Sequence, residues 1–370
     1  MPPTSDEDEL DPTPPPPPVH HVEQALLGAL LLEPERLHDV PGISPDAFAH
    51  HAHSALFAAI HSLPAPDSAQ HATSTVWLDA VLATAREQAR GLTPSYLHGL
   101  IQVCPWPRHA PAYARVVEAE HSRRLLRAAA QRLTHTARDT SHPHPVPTTL
   151  AAADALASVV DDIAAKFPPH SGPLPRTTAP PPAALHDAEE AVDEERLLLA
   201  TATAHPGDVE HIRWLSTDDF TQPLHAGLWQ CLNALTRRSA PVDPVTVLWE
   251  AQQRGLLTSG PEPRELLDLL AGTAGSPEHW GERILQRALL TTAHHTGRRI
   301  EAFTDDPATM PYQLVIGSRR ALADLSATRT RLQHATSPEP ATRPARTRTT
   351  AAPRAGPPRV TTPPAARIAR

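Results

Sequence analysis

Histidine is the residue type in this sequence that most invites a reading as chemistry. There are 23, the densest group being His50, His51 and His53, with the pairs His20-His21 and His294-His295 beside it in number. A helical zinc site wants imidazoles at i and i+4 with a third ligand. No two histidines here are four apart, H-E-x-x-H does not occur, and His50 and His53 are three apart. The spacing therefore predicts solvated or capping histidines, and no metal ligand is assigned. The acids Asp187, Glu189, Glu190, Asp193, Glu194 and Glu195 are dense enough for paired-carboxylate chemistry. They precede a stretch of helical periodicity, where free amides and the helix dipole favour negative charge, so they read as structural. No Ser/His/Asp or Cys/His arrangement is recognisable. Cys104 and Cys231 read as buried thiols in a reducing cytoplasm. The one lysine, Lys166, lies between Ala165 and Phe167, so these residues cannot form the phosphate-binding loop G-x-x-x-x-G-K-[ST]. No catalytic residue and no cofactor is expected, and the chain is read as non-enzymatic.

Net charge is −8, unevenly spread. Residues 1–18 hold five acids and no base, while residues 334–370 carry seven arginines against one acid. The body is acidic and repels a phosphate backbone, so nucleic-acid contact is expected only through the tail. Its candidate residues are Arg343, Arg346, Arg348, Arg354 and Arg359, followed by Arg367 and Arg370. They are interleaved with Pro, Thr and Ala, without aromatics to stack on bases, so contact would be weak and salt-sensitive. A disordered, solubilising terminus is the alternative. The 44 prolines concentrate in residues 1–18, 168–183 and 334–370, which predicts extended spacers there. The N-terminus is acidic and lacks an apolar core. The run Ala25 to Leu32 is too short for a bilayer. A soluble cytoplasmic protein, with nucleoid association as a further option, is expected.

The elements that must position these groups are written twice. Glu23 to Leu63 overlays Glu195 to Leu235 without a gap, 172 residues on. Glu23 falls on Glu195, Leu26 on Leu198, Leu27 on Leu199, Pro34 on Pro206, Ser44 on Ser216, Asp46 on Asp218, Phe48 on Phe220, His53 on His225, Leu56 on Leu228 and Leu63 on Leu235. Because they are equivalent, His53 and His225 read as packed structural residues. Val22, Ala25, Leu26, Ala29 and Leu30 form the stripe of an amphipathic helix ending near Pro34. A second helix is predicted to start near Ser44, with Pro45 at its first position, and Ser216 with Asp219 is spaced like a capping box. Further helices lead from Val76 to Gly91 and from Val247 to Gly255, the first longer by seven residues, or about two turns. Short helices follow at Tyr96 to Leu100 and Leu266 to Leu270. Each copy then ends in a helical hairpin, Ala112 to Thr136 with Leu150 to Phe167, and His279 to Phe303 with Tyr312 to Leu332. No period-two alternation is sustained, so the fold is predicted to be all-α. Two tandem helical-bundle domains are expected, each a small head plus a hairpin, at 20–167 and 185–333. A tail at 1–19, a linker at 168–184 and a tail at 334–370 flank them.

Taken together, these residues resemble the N-terminal domain of the bacterial replicative DNA helicase, the DnaB family. Glu23, Leu26, Leu27 and Gly28 are similar to its initial Glu-x-x-(Leu/Val)-Leu-Gly helix. Ser44, Phe48 and His53 match a Ser/Thr-x-x-x-Phe element with a downstream His. Tyr96, Leu97 and Leu100 match Tyr-Leu-x-x-Leu, and Tyr113 to Val117 match Tyr-Ala-Arg-(Ile/Val)-Val. In the second copy Pro241 to Val247 matches Pro-Val-Asp-x-Val-Thr-Val, but Ala200 stands in place of Gly28, and His279-Trp280-Gly281-Glu282-Arg283 replaces the Tyr-Ala-Arg signature. The resemblance implies a domain that builds a collar by pairing hairpins between helicase subunits and docks primase or a loader. Here a second copy of that domain takes the place of the family's ATPase. The resemblance therefore implies a replication-associated interaction module whose partners are the replicative helicase, primase or helicase loader. Alternatively, the chain is a nucleic-acid-binding accessory protein that uses the arginine tail. A linker extended at about 3.1 Å per residue would reach roughly 50 Å, enough for the two hairpins to pair within one chain as a pseudo-dimer; a homo-oligomer is the other option.

Overall fold

A computed structural model describes residues 15–139, 141–168, 174–178, 180–181, 188–258, 262–272 and 275–337. Among them all regular structure is helical. The first head comprises α1 (Pro18–Leu32), α2 (His51–Ser62), the short α3 (Ser68–His71), α4 (Val76–Gln88) and α5 (Pro94–Val103). Its hairpin is α6 (Ala110–Arg138) and α7 (Pro145–Lys166). The second head repeats the plan with α8 (Ala188–Ala204), α9 (Pro223–Arg237), α10 (Pro244–Gln253) and α11 (Pro263–Ala271), and its hairpin is α12 (Pro277–Asp305) and α13 (Pro311–Thr336). Proline opens most of these helices, at the position where a missing amide costs nothing. No helix among the described residues is long and apolar enough to cross a membrane.

Two apolar cores result. In the first head Leu26, Leu27 and Leu30 of α1 close on Phe57 and Ile60 of α2, Val81 of α4 and Leu100 of α5. Each such side chain contributes about 1.5–3 kcal/mol when fully buried. The second core is continuous from Trp229 and Leu232 of the second head into α6, α7, α12 and α13, Leu285 of α12 among them. The first hairpin therefore shares apolar surface with the second copy. At the α7–α13 face, Arg319 reaches Asp161 at 2.8 Å and Arg329 reaches Asp154 at 2.5 Å.

Three expectations are corrected. Ser44 and Pro45 open only a 3₁₀ turn (Pro45–Ala47), and α2 begins at His51. Phe48 is extended (ψ 134°), and the amide of the next residue, Ala49, leaves the helical ladder to donate to Glu23. Helix α4 exceeds α10 by three residues (13 against 10), not seven. The Asp243 carboxylate accepts the Val245 and Thr246 amides and starts α10 at Pro244, a turn before Val247. Finally, Glu189 to Glu195 lie inside α8 rather than ahead of it.

Candidate functional site

The hairpins meet along α6 and α12, each 29 residues long. Aligned from their first residues, Ala110 and Pro277, and so five residues out of step with the 172-residue repeat of the heads, the two helices pair Ala130 with Gly297 and Thr134 with Glu301, and both pairs are in contact. A Cβ on Gly297 would lie 2.3 Å from Thr134 Oγ1 and 2.9 Å from the Ala130 carbonyl, so only glycine permits the crossing. Thr134 Oγ1 donates to Glu301 Oε1 at 2.6 Å. Equivalent residues touching each other mark a local two-fold axis, the signature of an isologous interface.

Away from the axis, arginine provides the polar clasp. Arg123 donates to the carbonyls of Asp306 (2.8 Å), Thr309 (2.6 Å) and Thr304 (3.2 Å). Arg127 donates to the Thr304 carbonyl and pairs with Asp305 at 2.7 Å. These guanidinium groups bind carbonyls at and just beyond the C-terminal end of α12, where the helical ladder stops. A cleft of 570 Å³, lined by Gln131, Thr134, His135, Arg138, Asp139 and Glu301, opens beside the axis. Glu301 reaches both Thr134 and Arg298.

Inside each head a glutamate and a histidine form a second constellation. Glu23 Oε2 accepts from His53 Nδ1 at 2.6 Å and its Oε1 accepts the Ala49 amide at 2.6 Å. Glu195 does the same for His225 (2.7 Å) and the Thr221 amide (2.6 Å), and the Thr221 hydroxyl adds a bond of 2.7 Å. Both glutamates are fully buried. Burial pushes the Glu23 carboxyl upward, but bonds from His53 and Ala49 outweigh it and hold it below its usual range. The packed role expected of His53 and His225 is what the geometry shows. An aromatic pair stands beside each network, Phe48 with Phe57 and Phe220 with Trp229.

Of the other residues singled out in the sequence, Cys104 and Cys231 are buried, and burial pushes the Cys231 thiol up to about 11. Lys166 ends α7 and pairs with Glu118 at 3.2 Å. Glu190 and Glu194 pair with Arg283, and Glu194 also with Arg287, so these acids staple α8 to α12. Asp187 and the arginines Arg343, Arg346, Arg348, Arg354, Arg359, Arg367 and Arg370 lie outside the described residues. Sequence spacing missed one convergence: His20 of α1 meets His50 and His53 at the start of α2. Residues 30 apart on separate helices carry no periodic signal, although the repeat overlay marks the difference, with Val192 and Gln222 at the matching places.

An all-α head with a helical hairpin, written twice and joined hairpin to hairpin, defines a tandem helical scaffold. The family model of the DnaB-like helicase N terminal domain matches residues 15–119 and 187–282, more than half of the sequence. The chain belongs to that family. Neither a curated protein nor a solved structure matches it. Both matched segments stop within the first helix of the hairpin.

Proposed function

We propose that this chain is a non-enzymatic docking module of the DNA-replication machinery, one that pairs two collar-type hairpins within a single polypeptide. Its partners on this reading are the replicative helicase, primase or helicase loader, met in the cytoplasm at the nucleoid. The observation that carries it is the α6–α12 seam, where equivalent residues meet about a local two-fold axis as in a symmetric dimer. With that surface occupied internally, partners are left the heads. Trp106 and Trp249, 55% and 61% exposed, are large aromatic side chains of the kind that anchor interfaces.

The test uses the full chain. Sedimentation should give a monomer over a wide concentration range, and immobilised chain should capture purified helicase, primase or loader. Trp106→Ala or Trp249→Ala should weaken capture by about tenfold or more, the cost of a hot spot. Failure to bind all three partners, with DNA binding that disappears on removing residues 334–370, would replace this reading by the accessory nucleic-acid one.

A further inference from the structure

The first head carries three imidazoles where the second carries one. His20 lies in the first turn of α1, His50 precedes α2 and His53 lies in its first turn. Their ring centres are 4.8 Å (His20–His53), 4.7 Å (His50–His53) and 5.4 Å (His20–His50) apart. Around a tetrahedral ion with metal–nitrogen bonds of about 2.0–2.1 Å, the ring centres of two imidazole ligands fall about 5 Å apart. Ligand atoms of His20, Glu23 and His53 lie within 4.8 Å of one another, and the exposed His50 must turn its ring to bring a nitrogen into that group.

We propose that the first head binds one divalent transition-metal ion of the zinc class, with His20, His50 and His53 as ligands and Glu23 holding His53 from behind. The Glu23–His53 bond of 2.6 Å is the carboxylate–histidine arrangement that fixes a ligand ring and raises its basicity. It leaves Nε2 of His53 for the ion. That nitrogen now faces the Tyr96 hydroxyl at 2.8 Å, so binding transfers its lone pair from the phenol to the metal. His50 is exposed and His20 half-buried, which gives a route in and leaves a fourth position for water.

The second head is the built-in control. There Glu195 and His225 keep their bond, but Val192 and Gln222 replace the two outer histidines. The double variant His20→Val, His50→Gln therefore installs residues that this fold already accepts. Full-length chain stripped with a chelator should bind one Zn²⁺ in competition with a chromophoric indicator. Co²⁺ should give the intense visible bands of a tetrahedral site. The double variant, with unchanged circular dichroism, should lose affinity by more than about 100-fold, beyond what losing an outer partner costs. Tyr96→Phe should bind at least as tightly as the parent, and His211→Ala, on the second head, should bind equally. Equal zinc affinity in parent and double variant, or no stoichiometric zinc in either, overturns the proposal.

Discussion

The two heads use one design with different margins. Both bury a glutamate that accepts the histidine of the next helix and the amide two residues after Ala47 or Asp219. Around that shared centre they diverge. The first head brings α1 so close to α5 that a Cβ on Gly28 would lie 2.1 Å from the Leu100 carbonyl. The second carries a buried Ala200 in that place and fastens α8 to α12 with Glu194, Arg283 and Arg287. The lesson is that the entry of the second long helix in each copy is fixed by a polar anchor, while helix spacing is free to change around it.

The comparison breaks most sharply at the anchor. Glu23→Ala and Glu195→Ala each strand a buried imidazole and a backbone amide, and each should cost about 3–5 kcal/mol, read by urea unfolding. Similar losses would uphold the equivalence; a loss under about 1 kcal/mol in either head would end it. Smaller effects separate the heads. Gly28→Ala forces α1 from α5 and should cost about 1–3 kcal/mol. The opposite change, Ala200→Gly, should cost about 1 kcal/mol through helix propensity alone. Equal costs would mean that the close approach in the first head is not tight.

Thiol chemistry sharpens the same contrast without touching stability. Cys231 is fully buried, with its thiol pushed up to about 11, whereas Cys104 retains 9% exposure and a smaller upward shift from burial. A thiolate is the reacting form, so a disulfide reagent should modify Cys104 of the native chain well before Cys231. Mass spectrometry of early time points decides it, and the reverse order would show that the second head opens more readily.

Much of this was legible in the sequence because it was repeated or periodic. The overlay of Glu23 on Glu195 and His53 on His225 marked the buried anchors, and the four hairpin helices lie within a few residues of the spans read between their proline-containing loops. What failed did so for local reasons. Ser44 carries the residue type of a helix cap, but the Ala49 amide is drawn to Glu23 and the helix starts later. The seam was invisible as geometry because Gly297 reads as a helix-weakening glycine until Ala130 and Thr134 are brought against it from another helix. The His20 contacts were likewise set by tertiary packing between α1 and α2.

The smallest expected effect lies at the hairpin turns, where Asp139 and Asp306 occupy matching places after α6 and α12. Each accepts the backbone amide two residues on, Ser141 at 3.1 Å and Ala308 at 2.9 Å. Asp139 is held below its usual range first by the Ser141 hydroxyl, Asp306 first by the Ala308 amide. Only Asp306 also draws on groups from elsewhere in the chain, Thr177 at 3.1 Å and the charge of Arg123 from the first hairpin. A carboxyl with a depressed folded pKa contributes stability above its unfolded value of about 3.9 and loses it as pH falls through the folded one. Asp139→Asn and Asp306→Asn should therefore each cost a little near neutrality and nothing in strong acid. If Asp306 also helps to hold the seam, its loss should speed amide exchange in α6 around Arg123, which Asp139→Asn leaves unchanged. Exchange at α6 that responds equally to both substitutions would make the two turns purely local, and would leave the seam to Gly297 and the arginine clasp alone.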